Sequence, residues 1–239
     1  MAGRIELKYL VDHHARARLL AAWNEYLVPA PYTDDRAMYP IMSLYFDSPS
    51  LAFYDEKVEG EMLRNKVRLR GYGYDWKGLD PCILEIKRKV DSRILKFRKN
   101  LGIFRREFWD PAAWDLDGDP QGEQVAALAL RHNLRPAVQI LYQRETYESP
   151  YCPGLRIAFD SHLVALHPEE EMRSEIFEDR RRRCLGDTQY IFEVKSNGAM
   201  PNWVLSAIHG CQLQVRSLSK YVIGIEKLHL QNCEIGVYA

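Results

Sequence analysis

Alternating polar and apolar residues recur in six short segments of the chain. In residues 4–10, charged side chains alternate with Ile5, Leu7 and Tyr9, which is the period of a strand with two unlike faces. The other segments are residues 66–72, 83–89, 94–99, 155–160 and 190–196. We therefore predict six strands, each with one charged face and one apolar face.

Three further segments carry apolar residues at helical spacing. They are residues 13–28, 122–133 and 201–213. Pro29 follows the first segment, and Pro201 occupies the first turn of the third, where proline is tolerated. The apolar faces of these segments predict helices that cover the apolar side of the sheet.

Arginine and lysine dominate the polar positions of the predicted strands. Residues 64–106 contain fourteen basic and four acidic residues, although the whole 239-residue chain has 33 of each. Such a local excess indicates a concentrated anion-binding surface. The charged faces either meet solvent or line a lumen, and we favour the lumen because outward-facing like charges would repel one another. Helices would then lie outside a closed β tunnel.

Several classes of protein are disfavoured by the sequence. It contains no GxxxxGK[ST] phosphate loop, GxGxxG dinucleotide fingerprint, HExxH zinc motif or GxSxG hydrolase motif. The balanced net charge argues against bulk nucleic-acid binding, and no apolar run approaches the ~18 residues of a membrane span. Five cysteines without CxxC spacing indicate reduced thiols in a cytoplasmic protein.

Phosphate chemistry suits a face rich in arginine, lysine and isolated glutamates. Arginine binds phosphate oxygens in a bidentate manner, and lysine acts as a compact positive charge. Carboxylates among these cations would serve a divalent metal ion that bridges them to phosphate. Phosphoryl transfer depends mainly on positioning and on charge stabilisation. The alternative is Arg–Glu pairing that only satisfies a wet polar core.

Nine short motifs, taken in order, resemble the VTC domain. They are Arg4-x-Glu6-x-Lys8-Tyr9, Tyr45-Phe46-Asp47, Lys66-x-Arg68-x-Arg70, Leu84-Glu85-Ile86-Lys87, Lys96-x-Arg98, Tyr142-x-Arg144, Arg156-Ile157-x-Phe159-Asp160, Phe192-Glu193-Val194-Lys195 and Ser219-Lys220-Tyr221. This is the polyphosphate polymerase domain of the vacuolar transporter chaperone complex and its bacterial relatives. It belongs to the triphosphate tunnel metalloenzymes, which are related to CYTH domains. The resemblance extends over about residues 4 to 227.

The resemblance implies an α+β fold in which about eight antiparallel strands close into a tunnel with a charged lumen and helices packed outside. It also implies that the chain, as a single domain over residues 1–239, transfers the terminal phosphoryl group of ATP to polyphosphate with Mn²⁺ or Mg²⁺. A hydrolase of triphosphate or short polyphosphate stays open, as does a noncatalytic polyphosphate-binding module. The ligands would be ATP, triphosphate and polyphosphate, and a membrane-protein partner also stays open.

The resemblance and the strand parity together assign the site. The catalytic residues would be Lys8, Arg68, Arg70 and Lys87. Further phosphate ligands would be Lys66, Lys89, Lys96, Arg98, Arg144, Arg156, Lys195 and Lys220. The metal ligand would be Glu193, with Glu6 and Glu85 as additional candidates. Arg4 stands where the wider superfamily has a first glutamate, which leaves fewer carboxylates for a second metal ion.

Overall fold

The computed structural model describes residues 4–31, 38–91 and 93–236, in which nine strands and five α-helices form an α+β fold. The strands are β1 (Ile5–Asp12), β2 (Val28–Pro29), β3 (Met38–Asp47), β4 (Leu63–Gly71), β5 (Ile83–Val90), β6 (Arg93–Asn100), β7 (Arg135–Glu148), β8 (Arg156–Leu166) and β9 (Gln189–Ser196). The helices are α1 (His13–Trp23), α2 (Ala52–Val58), α3 (Gly122–Arg131), α4 (Asn202–Gly210) and α5 (Lys220–Gly236). In these described ranges, none of the helices has the length and apolar character needed to cross a membrane.

The elements predicted from the sequence are all present. The six alternating segments form β1, β4, β5, β6, β8 and β9, and the three helical segments form α1, α3 and α4. Helix α1 is shorter than predicted, because Val28 and Pro29 leave the helix to pair with Glu148 and Tyr147 of β7. Strand β3 was not predicted, because Ile41–Asp47 is buried on both faces and its residues therefore do not alternate between polar and apolar.

One sheet contains all nine strands in the order β1-β9-β8-β7-β3-β4-β5-β6, with β2 attached to β7. It is antiparallel, as predicted. In this order β1 and β6 are edges, so the sheet formed by the described residues is open. The α+β fold is therefore confirmed, whereas the closed tunnel is not.

The chain folds into two compact units. Unit 1 comprises Met1–Pro40, Tyr142–Leu163 and Leu185–Ser219. Unit 2 comprises Ile41–Leu141, Val164–Cys184 and Lys220–Ala239. Each unit has an apolar cluster of its own.

The core of unit 1 lies between the apolar faces of its strands and two helices. The ring of Phe192 stacks on Tyr9 at 5.2 Å and on Phe159 at 5.0 Å between centroids. Trp23 of α1 and Val204 of α4 are fully buried against this layer. Full burial of such a side chain contributes about 1.5–3 kcal/mol. The helices of this unit thus cover the apolar side of the strands, as the alternation predicts.

The core of unit 2 is anchored by a buried carboxylate. Asp47 at the end of β3 accepts hydrogen bonds from the backbone N–H groups of Phe53 and Tyr54, both at 2.9 Å, and so caps α2. It also accepts a hydrogen bond from the Tyr221 hydroxyl of α5. Burial, followed by the neighbouring Asp47 charge, raises the pKa of Tyr221. Asp47 therefore connects both α2 and α5 to β3 through hydrogen bonds.

Gly224 sets how closely α5 approaches β7. A Cβ atom at this position would lie 2.2 Å from Ile140 Cδ1 and 3.3 Å from Val138 Cγ2. We expect Gly224→Ala to lower the free energy of unfolding by about 1–3 kcal/mol, the usual cost of overpacking a core. Urea unfolding would measure it. Gly210→Ala in α4 is the control, since among the described residues outside its own helix and its chain neighbours no atom lies within 4 Å of its added Cβ. Equal stability of the two variants would contradict the close approach.

Candidate functional site

Nine charged residues of unit 2 share one face of β4, β5 and β6. This β4–β6 face consists of Arg64, Lys66, Arg68, Arg70, Glu85, Lys87, Lys89, Lys96 and Arg98. Within these three strands, eight of the nine are basic and one is acidic. The parity argument from the sequence grouped the residues of each strand, and the observed register brings the three groups together.

A row of three lysines crosses the β4–β6 face. Lys66 of β4 lies directly opposite Lys87 of β5, which lies directly opposite Lys96 of β6. Like charges in opposed positions destabilise a sheet, so an anion at this row would remove an unfavourable interaction. Binding of a polyanionic ligand therefore accounts for this lysine row better than simple exposure to solvent does.

An Arg–Glu–Arg row lies beside the lysine row. Glu85 stands between Arg68 and Arg98 in the register. Its Oε2 lies 2.8 Å from Arg68 Nε and 2.7 Å from Arg68 Nη2, and its Oε1 lies 3.6 Å from Arg98 Nε. Arg68 Nη1 also donates to the Tyr45 hydroxyl at 3.0 Å. These bonds fix the plane of the Arg68 guanidinium.

Arg70 is held less completely than Arg68. Its Nε lies 3.4 Å from Glu85 Oε2. Among the described residues this buried Nε has no hydrogen-bond partner, although the side chain is only 15% exposed. A buried unsatisfied donor carries a desolvation cost of about 1–3 kcal/mol. A ligand oxygen at Arg70 would remove that cost.

A second charged cluster lies in unit 1. It consists of Glu6, Lys8, Arg144, Asp160, Glu193 and Lys195. In the register of β1 and β9, Lys8 is opposite Glu193 and Glu6 is opposite Lys195. The Glu193 carboxylate lies 2.8 Å from Lys195 Nζ, 3.7 Å from Lys8 Nζ and 3.4 Å from Arg144 Nη2. Three predicted phosphate ligands thus surround the predicted metal ligand.

The titration behaviour of this unit 1 cluster follows from burial and charge. Burial alone would raise the pKa of Glu193, but Lys8, Lys195 and Arg144 outweigh it and hold that pKa well below its ordinary value. Burial lowers the pKa of Lys195 more than Glu193 raises it. For Lys8 the balance is reversed, because Glu193 and Glu6 together raise its pKa more than burial lowers it. At neutral pH Glu193 is therefore an anion.

Asp160 was not among the predicted site residues, although it lies within one of the quoted motifs. It is fully buried and accepts from Arg144 Nε at 2.6 Å and from Arg144 Nη2 at 2.7 Å. This bidentate pair fixes the guanidinium plane of Arg144, whose pKa the Asp160 charge raises against the opposing effect of burial. Asp160 is therefore the residue that orients Arg144 in unit 1.

The two remaining predicted ligands have different surroundings. Arg156 lies opposite Lys195 in the register of β8 and β9, and its half-exposed side chain pairs with Glu148 at 2.8 Å. Lys220 is the first residue of α5, in unit 2. Neither belongs to the β4–β6 face or to the unit 1 cluster as defined by its residues.

Two carboxylates of the unit 1 cluster lie close to the same lysine. Lys8 Nζ lies 3.3 Å from Glu6 and 3.7 Å from Glu193, so these two carboxylates are neighbours. Across the described part of the chain, no group of three or more His, Cys, Asp or Glu side chains is arranged to hold a metal. Mg²⁺ commonly uses one or two carboxylates together with substrate phosphates. Glu6 and Glu193 fit that donor set.

A protein-family model matches most of the chain. The model of the VTC domain aligns with residues 3–229. The chain belongs to the VTC domain family. This confirms the resemblance drawn from the nine motifs. No curated protein sequence matches this VTC domain.

Solved structures give the same fold for this VTC domain. One is a Bacillus halodurans protein solved by crystallography as a candidate adenylate cyclase, with 12% sequence identity and a TM-score of 0.50. The match covers 91% of this chain and 94% of that one. At this identity the likeness concerns the fold alone.

Proposed function

We propose that this VTC domain is a polyphosphate polymerase that uses ATP. A terminal phosphate oxygen of the growing chain attacks the γ-phosphorus of ATP, a new P–O–P bond forms, and the bond to ADP breaks. The observation that carries the proposal is the lysine row of the β4–β6 face, because three aligned cations attract an anion with several negative oxygens. Such a ligand is what the polymerase reaction supplies.

Each charged group has a proposed role in binding phosphate. On the β4–β6 face, Arg68 and Arg70 would contact the transferred phosphoryl group, and the lysine row with Lys89 and Arg98 would bind further phosphates. In unit 1, Lys8, Arg144 and Lys195 would bind phosphate oxygens around Glu193. Arg156 and Lys220 stay proposed phosphate ligands. Because charge spreads over the phosphoryl oxygens in the transition state, these cations lower the barrier electrostatically.

A divalent metal ion, Mn²⁺ or Mg²⁺, completes the proposal. Glu193 and Glu6 would hold it together with phosphate oxygens of the substrate. When bound, the ion would neutralise charge on those oxygens. Lys8 and Lys195 contact these carboxylates, and together with Arg144 they hold the pKa of Glu193 well below its ordinary value. Glu85 stays a predicted metal ligand of lower rank, since its carboxylate is bound by arginines.

A noncatalytic polyphosphate-binding module is the second candidate. One observation favours it: Glu193 is held by three cations, and the described residues offer no larger set of metal ligands. The two functions share the same cations and differ only in turnover.

Product analysis distinguishes the candidates. Purified protein is incubated with ATP and Mn²⁺, and the products are resolved by electrophoresis. Long polyphosphate with ADP supports the polymerase. Free phosphate with ADP indicates the hydrolase, and unchanged ATP with measurable triphosphate binding indicates the binding module. Arg70→Ala, prepared in parallel, controls for a contaminating enzyme.

The lysine row makes a prediction of its own. Lys96→Gln removes one of the three opposed charges, so we expect a slightly higher thermal midpoint at low salt and a smaller stabilisation by inorganic triphosphate. Both effects should fade in high salt, which screens exposed charges. Lys99→Gln is the matched control: Lys99 is opposite Leu84, on the other face of β6, and its Nζ bonds to the Asp117 carbonyl. Equal triphosphate stabilisation of both variants would exclude the row from the binding site.

A further inference from the structure

We propose that Glu85 is a positioning residue that orients Arg68 and limits how tightly the β4–β6 face binds phosphate. The inference rests on the proposed function, since it concerns the affinity of the same face for the same ligand. Glu85 is the acid in an Arg–Glu–Arg row that lies beside three opposed lysines. Its contacts account for this acid without assigning it to a metal ion.

The orienting role follows from the bonds around Arg68. A guanidinium group has five N–H donors in one plane. Glu85 Oε2 accepts from Nε at 2.8 Å and lies 2.7 Å from Nη2, on the opposite side from Nη1, which donates to the Tyr45 hydroxyl. Tyr45 is itself buried, and its ring lies 5.3 Å from that of Tyr221. Glu85 and Tyr45 therefore hold Arg68 from two directions before any ligand arrives.

The limiting role follows from charge. Glu85 contacts Arg68, Arg70 and Arg98 within 3.6 Å. A phosphate that binds these arginines must share them with the carboxylate and also approach its negative charge. Since the side chains of Glu85, Arg68 and Arg70 are 15–20% exposed, screening by water is incomplete. A polymerase has to let its product move on after each addition, and a lower affinity serves that step.

The Glu85→Gln variant tests whether Glu85 orients Arg68 and limits phosphate affinity or has a purely structural role. Glutamine keeps an oxygen that accepts from Arg68 but removes the charge. We expect roughly tenfold tighter binding of inorganic triphosphate, the size expected for one unit charge near the ligand, measured by calorimetry without metal. Turnover should show a lower KM and a lower kcat together. A structural residue would change the thermal midpoint and leave the affinity of the folded protein unchanged.

Two further variants complete the experiment. Glu123→Gln makes the same change of net charge on the exposed surface of α3 and should bind triphosphate as the wild type does. Tyr45→Phe removes only the hydroxyl that orients Arg68, so we expect kcat to fall several-fold without tighter binding. It keeps the orienting role testable if Glu85→Gln does not fold.

The outcomes separate this inference from the proposed function. If the wild type makes no polyphosphate but Glu85→Gln still binds triphosphate more tightly, the polymerase proposal fails and the limiting role of Glu85 stands. If the wild type is a polymerase and Glu85→Gln binds triphosphate no more tightly than Glu123→Gln, the limiting role is wrong. Wild-type kcat in Tyr45→Phe would overturn the orienting role. A wild type that binds no triphosphate would overturn both proposals.

Discussion

Glu193→Gln is expected to lower the free energy of unfolding by about 3 kcal/mol. This is the lower end of the range found when one partner of a buried ion pair is removed. Glu193 is buried, and Lys8, Lys195 and Arg144 lie within 3.7 Å of its carboxylate. Without its charge, three cations would face one another with less compensation. Urea unfolding of the wild type and the variant at pH 7 measures the difference.

The pH dependence of that difference has a defined sign. The pKa of Glu193 is held well below its ordinary value in the folded protein. Its stabilising contribution is therefore fully present above the unfolded pKa of about 4.3 and is lost as the pH falls through the folded pKa. The gap between wild type and Glu193→Gln should stay constant from about pH 5 to 7 and narrow at lower pH.

Glu148→Gln is the matched control for Glu193→Gln. Glu148 pairs with Arg156 at 2.8 Å, but both side chains are far more exposed than Glu193. Exposed pairs contribute about 0–1 kcal/mol, so this variant should remain close to the wild type. Equal stabilities of Glu148→Gln and Glu193→Gln would show that the unit 1 cluster is not an energetically coupled network.

The same Glu193→Gln variant tests the proposed metal site. Triphosphate should bind at least as tightly without metal, because one negative charge has been removed from among the cations. Mn²⁺ should no longer accelerate turnover, and the rate should fall about a hundredfold or more. Full activation of the variant by Mn²⁺ would leave Glu193 with a structural role only.

The alternation of residues along a strand predicted which charged side chains of the candidate site share one face. Alternation placed Lys66, Arg68 and Arg70 on one face of a strand, and it did the same for the residues of β5 and β6. Strands β4, β5 and β6 are consecutive along the chain and pair as antiparallel neighbours, so the register places their charged faces side by side. Eight of the nine residues of the β4–β6 face were therefore predicted, whereas Arg64 lies just before the alternating segment 66–72 and was missed.

The partners of individual charges were not predictable in the same way. Arg144 lies on β7, whose inner residues are buried on both faces and show no alternation, so its strand was not predicted and its contact with Asp160 could not be deduced. Helix α5 was missed because its apolar residues are interrupted by glycine and charged residues at Gly224, Glu226 and Lys227. Parity specifies a face, whereas ion pairs need the register between strands.

Arg70→Ala is expected to abolish most of the turnover while leaving the fold intact. The Nε of Arg70 is buried and lacks a hydrogen-bond partner among the described residues, whereas Arg68 is bonded to Glu85 and Tyr45. Removing Arg70 therefore breaks few contacts of the empty protein and relieves repulsion on a basic face. The thermal midpoint without ligand should stay unchanged or rise slightly.

The ligand-bound state of Arg70→Ala should behave in the opposite way. A charge-assisted contact with phosphate contributes roughly 1.5–3 kcal/mol, so triphosphate should stabilise the variant less than the wild type, and turnover should fall about tenfold to a hundredfold or more. Arg131→Ala, at the exposed end of α3, is the control for net charge. Arg68→Ala should differ from Arg70→Ala by also losing stability without ligand, because it removes the two shortest contacts of Glu85 and the bond to Tyr45. If triphosphate stabilises Arg70→Ala as much as Arg131→Ala, Arg70 lies outside the phosphate site and the buried Nε is only a structural feature of β4.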